Sequence, residues 1–330
     1  FPGESKIDYL EDKEIELASM RPTHIYDTLN SQGEQQNKDD LEVGAVDDPK
    51  YESRGYTGNL NLEEGKQFEK RKYRKFCLPN ESEMHFMTRR LVPEQMSALR
   101  KVIAACKNVV KCRKNPKIKP KPVRLAILGG QGVGKSETIK TIAMHAEKIL
   151  RLEGTDPKHP NVIVCAFTGK AASLISGITI HSAFNLKFST EQPALLGKPL
   201  AEAQTQLANL KLIIIDEVSM VSSQMLHNIN KKLSEIFNTN ELTEPFANIS
   251  IVLVGDLLQL PPVNGTVVFK NVDTWMSRLN NEAEKLRLSA FVDKPLWKMF
   301  EPIILRHNHR QGEGNTWANS LNNFRRGIVT

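Results

Sequence analysis

The sequence predicts an α/β protein built around a mostly parallel β-sheet. Four apolar runs, at 125–128, 162–167, 212–215 and 251–254, are short, continuous and partly β-branched. Strands buried on both faces of a parallel sheet have this composition. Segments with helical periodicity lie between the runs, as the crossover connections of such a sheet require. Because parallel sheets bind ligands beyond the carboxyl ends of their strands, we expect the functional residues there.

Charge divides the chain into three parts. Residues 1–67 hold 7 Lys+Arg against 16 Asp+Glu, and we predict that this acidic part is largely disordered. Residues 68–124 hold 17 Lys+Arg against 4 Asp+Glu, so the block attracts polyanions, nucleic acid first. A solvated linker or a nuclear-import signal is the alternative for the basic block. The remaining residues are nearly balanced, as in an ordinary globular domain.

Composition excludes several classes of protein. No apolar run approaches the roughly 18 residues that a membrane helix needs, and no signal-peptide pattern opens the chain, so we expect no membrane partner. The first residue is Phe1, and we expect a fragment of a longer protein. The cysteines form no CxxC pair, which predicts reduced thiols and an intracellular location; they are Cys77, Cys106, Cys112 and Cys165. Within the cell we expect a nuclear location.

An amphipathic helix is predicted to begin near 91–95, ahead of the first strand. Its apolar side chains recur at helical spacing and are Met96, Leu99, Val102, Ile103 and Cys106. The stretch Lys111–Lys121, rich in lysine and proline, is predicted to be a linker. We therefore expect residues 68–123 to form a basic region with an entry helix, and residues 124–305 to form the main domain.

A glycine-rich loop follows the first strand, and a helix follows the loop. Residues 129–136 match G-x-x-x-x-G-K-[ST], in which backbone N–H groups cradle phosphates. Lys135 would reach the β- and γ-phosphates and Ser136 would ligate Mg²⁺. A glycine turn without ligand is the alternative. The nucleotide-binding residues that the loop predicts are Gly130, Gly132, Val133, Gly134, Lys135, Ser136 and Glu137.

Two carboxylates follow the strand at 212–215. Asp216 at the end of a buried strand has the position that holds the magnesium of a phosphate-loop enzyme. Glu217 would orient and polarise the attacking water. An ordinary acidic turn after a strand is the alternative. Together the loop and the acids predict an ATPase that uses Mg²⁺.

Further stretches match the motifs of one helicase family. They read TGKAA at 168–172, TIHSAF at 179–184, DEVSM at 216–220 and GDLLQLPPV at 255–263. With the phosphate loop, they resemble the Pif-one/RecD-like helicases of superfamily 1, class B, over 91–327. GDxxQLPPV is the most specific of them. The resemblance implies a RecA-like phosphate-loop NTPase lobe with a small insertion near 187–209, and residues 306–330 would begin a truncated second motor lobe.

Roles for three residues follow from the resemblance. Gln95 matches the glutamine that reads adenine, although a polar residue in a first helical turn is the alternative. Gln259 matches the glutamine that contacts the γ-phosphate and links it to the DNA track. Arg310 matches the arginine that the second lobe offers to the γ-phosphate, with a surface arginine as the alternative. The predicted catalytic residues are Lys135, Glu217, Gln259 and Arg310.

The resemblance also implies DNA contacts at Thr168, Lys170, Thr179, His181 and Ser182. Hydroxyl groups, a lysine and a histidine suit contacts to phosphates. For His181, packing or capping is the alternative. The aromatic residues Phe167, Phe184 and Phe188 would stack on bases or belong to the core.

The family implies an ATP-dependent DNA helicase that moves 5′→3′ on single-stranded DNA and separates strands at duplex junctions. Repair, recombination and telomere maintenance are the expected settings, with ATP and Mg²⁺ as cofactors. Two alternatives stay open. One is a DNA-binding ATPase switch that does not unwind, and the other is the helicase part of a rolling-circle transposon protein. The oligomeric state is left open.

Overall fold

A six-stranded sheet forms the centre of the part of the chain that the structure, a computed structural model, describes: residues 78–115, 119–151, 159–187, 192–263, 265–309, 320 and 323. The strands are β1 (Arg124–Gly129), β2 (Val162–Ala166), β3 (Ile178–Thr179), β4 (Leu212–Asp216), β5 (Ser250–Gly255) and β6 (Glu301–Leu305). They lie in the order β3-β2-β4-β5-β1-β6, and every pair is parallel. The predicted α/β fold class is confirmed.

Helices and 3-10 turns connect the strands. The helices are α1 (Glu81–Arg89), α2 (Pro93–Lys114), α3 (Lys135–Leu150), α4 (Gly169–Leu174), α5 (Ile180–Phe184), α6 (Gly197–Leu207), α7 (Ser223–Phe237), α8 (Asp273–Met276) and α9 (Glu282–Ser289). The 3-10 turns are Val218–Met220, Pro245–Asn248 and Leu296–Met299. Local sequence sets several helix starts, since Asn80, Ser222 and Asn281 each accept a hydrogen bond from a backbone N–H of the first turn.

Two apolar layers cover the two faces of the sheet. Alternate residues of each strand point to opposite faces, so Ile213 and Ile215 enter one layer while Leu212 and Ile214 enter the other. Helices α2 and α3 lie in the layer of Leu212, and α5, α6 and α7 lie in the layer of Ile213. Because both faces are covered, β2, β4 and β5 are buried along their length, which explains their unbroken apolar runs.

The predicted linker at Lys111–Lys121 was wrong at its start. Helix α2 continues to Lys114 and buries Cys112, so the first four residues of the predicted linker, 111–114, are helical. Lysine and arginine are good helix formers, and the apolar stripe of the helix extends to Cys112. The helix ends at Lys114, two positions before a proline in the sequence, and a proline in a helix interior would remove a hydrogen bond and clash with the preceding turn. No described helix is long and apolar enough to cross a membrane.

A left-handed turn closes the amino edge of the sheet, where β1 and β5 begin. Phe246, Ala247 and Asn248 all have φ between 52° and 56°, a conformation that costs a non-glycine residue roughly 1–2 kcal/mol. Arg124 donates to the carbonyls of Pro245 and Ile249 on either side of the turn. Its guanidinium lies 5.2 Å from the centre of the Phe246 ring. The turn is therefore held from both of its ends.

Candidate active site

The strand register brings the predicted site residues to the carboxyl edge of the sheet. Ala166 of β2 pairs with Asp216 of β4 and with Thr179 of β3, while Leu128 of β1 pairs with Gly255 of β5. The residues that follow these strands therefore form a row along one edge. From β3 to β1 the row holds the TIHSAF segment, Thr168, Glu217, the GDxxQ turn and the glycine-rich loop.

The glycine-rich loop joins β1 to helix α3, as predicted. Gly134 has φ 77°, and a Cβ atom there would lie 2.6 Å from the Gln95 Nε2, so a larger residue would be strained and would clash. Lys135 Nζ donates to the carbonyls of Gly129 at 2.8 Å and Gly130 at 2.6 Å. Ser136 is exposed and Glu137 half-buried in the first turn of the 16-residue helix α3. The positive end of this helix dipole faces the loop.

Gln95 connects the entry helix to this loop. Its side chain is buried, its Oε1 accepts from the Val92 N–H at 3.1 Å, and its Nε2 donates to the Val133 carbonyl at 2.9 Å. In this arrangement Gln95 closes the first turn of α2 and fixes that turn against the phosphate loop. A contact with adenine would be an additional role, and it stays a prediction.

Asp216 lies at the end of β4, close enough to Lys135 for the two charges to interact. Burial raises the pKa of the Asp216 carboxyl, while the Glu217 N–H and the Lys135 charge act in the opposite direction. The Asp216 Oδ1 accepts from the Glu217 N–H at 2.8 Å. A buried carboxylate beside a phosphate loop fits Mg²⁺, which takes one or two carboxylates and keeps several waters. Ser136, exposed at the start of α3, fits as the second protein ligand.

Glu217 occupies a strained backbone position between β4 and the 3-10 turn. Its φ and ψ are 55° and 46°, in the left-handed region. The Thr168 hydroxyl lies 3.4 Å from the Glu217 Oε2 and donates to it. Gly255 makes room for this turn, because a Cβ at Gly255 would lie 2.8 Å from the Val218 nitrogen. The sequence motif thus needs a glycine at the end of β5 for steric reasons.

Gln259 lies half-buried in the turn after β5. Its N–H donates to the Asp256 carbonyl at 2.9 Å, which closes the turn four residues beyond the strand. The β5 strand lies between β4 and β1, so Gln259 follows the strand that separates Asp216 from the phosphate loop. Arg310, Phe188 and the Arg-Gln motif at 310–311 lie outside the described residues.

The predicted DNA contacts lie at the β2 and β3 end of the row. Thr168 caps α4 by accepting from the Ala171 N–H at 3.2 Å, and Lys170 is exposed two residues later. Thr179 accepts from the Ser182 N–H and its hydroxyl lies 2.9 Å from that of Ser182. His181 is half-buried with its ring edge-to-face against Phe167, and burial lowers the pKa of its imidazole.

Of the two alternatives for Phe184, stacking on DNA bases or packing in the core, the structure confirms the core. Its side chain is 1% exposed and belongs to the apolar layer below β2 and β4. Phe184 is the last and largest residue of the short helix α5, and its ring is buried because it covers the strands beneath that helix. Phe167 is half-buried and packs against the same layer.

Sequence reasoning missed His309, which lies on the other side of the phosphate loop. Its N–H donates to the Gly132 carbonyl at 2.9 Å, and its ring lies 3.3 Å from the position of a Cβ at Gly134. Burial, then the charges of His307 and Arg90, lower the pKa of the His309 imidazole. The sequence offered one indication of this position, because His309 directly precedes Arg310, which was expected near the γ-phosphate.

Comparison with known proteins identifies related sequences and structures. A family model described as PIF1-like helicase matches residues 104–329. The chain is 31% identical over 212 residues to ATP-dependent DNA helicase PIF1 of Candida albicans, covering 63% of this chain and 21% of that protein. It is 30% identical over 212 residues to ATP-dependent DNA helicase Pif1 of Bdellovibrio bacteriovorus, covering 62% and 40%.

A solved structure of Bacteroides Pif1 bound to single-stranded DNA is also similar. It shares 27% sequence identity with this chain, with a TM-score of 0.47, and the match covers 73% of this chain and 47% of that one. The matched region therefore spans about a fifth to a half of the relatives' own lengths.

Proposed function

Because the chain belongs to the PIF1-like helicase family, we propose that it carries the nucleotide-hydrolysing lobe of an ATP-dependent DNA helicase. The observation that supports the proposal best is the row of side chains at the carboxyl edge of one sheet. Along that edge a phosphate loop follows β1, the GDxxQ turn follows β5, two carboxylates follow β4, and a set of hydroxyl groups follows β2 and β3. Such a row allows ATP and a polyanion to bind side by side.

The nucleotide end of the row suits phosphate binding and hydrolysis. The loop N–H groups and Lys135 hold the phosphates, and Ser136 and Asp216 would hold Mg²⁺, which neutralises phosphate charge when bound. Glu217 orients a water whose oxygen bonds to the γ-phosphorus. The bond from that phosphorus to the β,γ-bridging oxygen breaks, ADP leaves with the electron pair, and a water proton passes through Glu217 to solvent. Gln259 and Arg310 contact the γ-phosphate.

The other end of the row suits the sugar-phosphate backbone of single-stranded DNA. Thr168, Lys170, Thr179, His181 and Ser182 supply hydroxyl, ammonium and imidazole groups, which contact phosphates without reading sequence. Gln259 links the γ-phosphate to this track. The proposal includes 5′→3′ movement, opening of duplex junctions, and a nuclear role in repair, recombination or telomere maintenance.

The test is to measure ATP hydrolysis by the full-length protein with and without single-stranded DNA, followed by separation of a forked duplex. The proposal requires ATP turnover that rises when DNA is added and strand separation that depends on ATP. Stimulated turnover with no strand separation would instead identify a DNA-dependent switch. Absence of turnover under both conditions would overturn the proposal.

A further inference from the structure

The contact between Thr168 and Glu217 joins the two halves of the row. Thr168 follows β2, Glu217 follows β4, and the Thr168 hydroxyl donates to the Glu217 carboxylate across 3.4 Å. The paired residues Ala166 and Asp216 fix this proximity through the backbone, since each lies one or two positions ahead of the contact. A residue expected to bind DNA therefore touches the residue expected to activate water.

The direction of the contact follows from the strand order. The strands run β2-β4-β5-β1, so Thr168 lies on one side of Glu217 and the phosphate loop lies on the other, beyond β5. When the Glu217 carboxylate bonds to Thr168, it is turned towards β2. A carboxylate that serves a water at the γ-phosphate must turn the opposite way, towards β1.

The contact is also suited to release. An O–H···O bond has its usual distance near 2.7 Å, so a separation of 3.4 Å indicates a weak restraint. Glu217 has a left-handed backbone conformation, which a residue with a side chain adopts at a cost and which recurs at switch regions. The Glu217 side chain can therefore turn away from Thr168 at the cost of one weak hydrogen bond.

Resting on the proposed function, we propose that Thr168 is a positioning residue that restrains Glu217 until single-stranded DNA binds. A DNA phosphate oxygen takes the hydrogen bond of the Thr168 hydroxyl. Its negative charge, drawn in by the exposed Lys170, repels the nearby carboxylate. Glu217 then turns towards the phosphate loop, so ATP is hydrolysed rapidly only on DNA.

Substitutions at Thr168 separate this restraint from the helix cap that the same hydroxyl provides. Thr168→Val removes both the donor to Glu217 and the acceptor for the Ala171 N–H. Thr168→Asp keeps an acceptor for the cap and cannot donate to Glu217. Thr168→Ser returns the hydroxyl and is the rescue variant. Thr274→Val is the matched control, because Thr274 is exposed at the start of α8 and belongs to neither end of the row.

The experiment measures kcat and KM for ATP in the full-length protein, with and without a single-stranded oligonucleotide. We expect Thr168→Val and Thr168→Asp to raise the DNA-free kcat by about fivefold, the effect of one weak charge-assisted hydrogen bond, with little change in KM. The ratio of DNA-stimulated to DNA-free rate should fall, and Thr168→Ser should return the DNA-free kcat towards that of the parent.

Two other outcomes separate the ways in which the inference can fail. If Thr168→Val leaves the DNA-free kcat unchanged and only raises the DNA concentration for half-stimulation, Thr168 is a DNA contact alone and the restraint is refuted, while the proposed function stands. If the parent protein hydrolyses no ATP with or without DNA, the proposed function fails and the inference fails with it.

Discussion

Both edges of the sheet contain left-handed residues that are not glycine, but the contacts that hold these residues differ in number. At the amino edge, the residues Phe246–Asn248 are all left-handed. Arg124 holds this turn with two hydrogen bonds and with its contact to the Phe246 ring. The Asn230 Oδ1 also accepts from the Phe246 N–H at 2.6 Å. At the carboxyl edge, Glu217 is left-handed alone, and its carboxylate meets only the Thr168 hydroxyl among the described hydrogen bonds.

This difference separates a part of the molecule that is fixed from a part that can move. A strained turn persists only where several surrounding contacts hold it in place. At the amino edge, Arg124 and Asn230 supply these contacts. At the carboxyl edge a single long hydrogen bond leaves the Glu217 side chain free to turn. Substitutions at the two edges should therefore have opposite signatures, with loss of chemistry at one and loss of stability at the other.

The largest effect is expected for Lys135→Ala at the carboxyl edge. Loss of the ammonium group that stabilises transferring phosphate should lower ATP turnover at least about 100-fold. The free energy of unfolding should change by less than about 1 kcal/mol, because the bonds of the Lys135 ammonium to the Gly129 and Gly130 carbonyls stay within its own loop. Turnover and thermal unfolding measured on the same preparation test this, and undiminished turnover would exclude the assignment of the loop.

At the amino edge, Arg124→Met should give the converse result. It leaves the carbonyls of Pro245 and Ile249 without their donor in a buried place, which should lower the free energy of unfolding by about 3 kcal/mol. Turnover per folded molecule should be unchanged well below the melting temperature. Arg278→Met at an exposed arginine is the control. A selective loss of turnover in Arg124→Met would show that the two edges are coupled.

The pH dependence of stability should report on the apolar layer that contains α7, through His227, whose ring contacts Phe291 and Trp275. Burial, and then the Arg287 charge, lower the pKa of His227 to about 3 from 6.5, against the opposing charge of Glu284. The unfolded chain therefore binds a proton more readily, and stability falls as pH drops below 6.5. The loss should be on the order of 3 kcal/mol between pH 6.5 and pH 4.

His227→Phe should reduce this acid sensitivity. The His227 ring packs edge-to-face on Phe291 with centroids 4.9 Å apart, so a phenyl ring retains the packing without a group to protonate. Denaturant unfolding of parent and variant at several pH values would measure the difference. Equal slopes in the two proteins would show that His227 does not titrate on unfolding.

The smallest effect is expected for Lys170→Ala at the DNA end of the carboxyl edge. DNA affinity should fall steeply as salt rises, and loss of one phosphate contact should reduce the slope of log affinity against log salt by about one. Affinity at moderate salt should fall roughly fivefold, uniformly across sequences. Lys270→Ala, at another exposed lysine, should leave the slope unchanged. If DNA affinity did not change with salt concentration, contacts to DNA phosphates would be excluded.

Local patterns in the sequence predicted β1, β2, β4 and β5, the helices α2 and α3, and the glycine-rich loop. Continuous apolar runs identified β2, β4 and β5, and helical spacing identified the buried face of α2 that includes Leu99 and Val102. These features depend on neighbours in the chain. The strand order and the bond from Gln95 to Val133 join residues distant in sequence, so periodicity carries no information about them.

The same limit applies within the site. The motifs indicated which residue types would lie at the carboxyl edge, while the contact of Thr168 with Glu217 depends on the register of β2 against β4. The left-handed turn at Phe246–Asn248 had no signal, because none of its residues is a glycine and the stabilising Arg124 lies more than a hundred positions earlier.

The most direct test is a structure of the full-length protein with a non-hydrolysable ATP analogue and a short single-stranded oligonucleotide. We expect the triphosphate in the loop at 130–136, a DNA phosphate at the Thr168 hydroxyl, and the Glu217 carboxylate turned from Thr168 towards the γ-phosphate. A triphosphate bound elsewhere, or a Glu217 still bonded to Thr168 while DNA and nucleotide are both in place, would contradict this expectation.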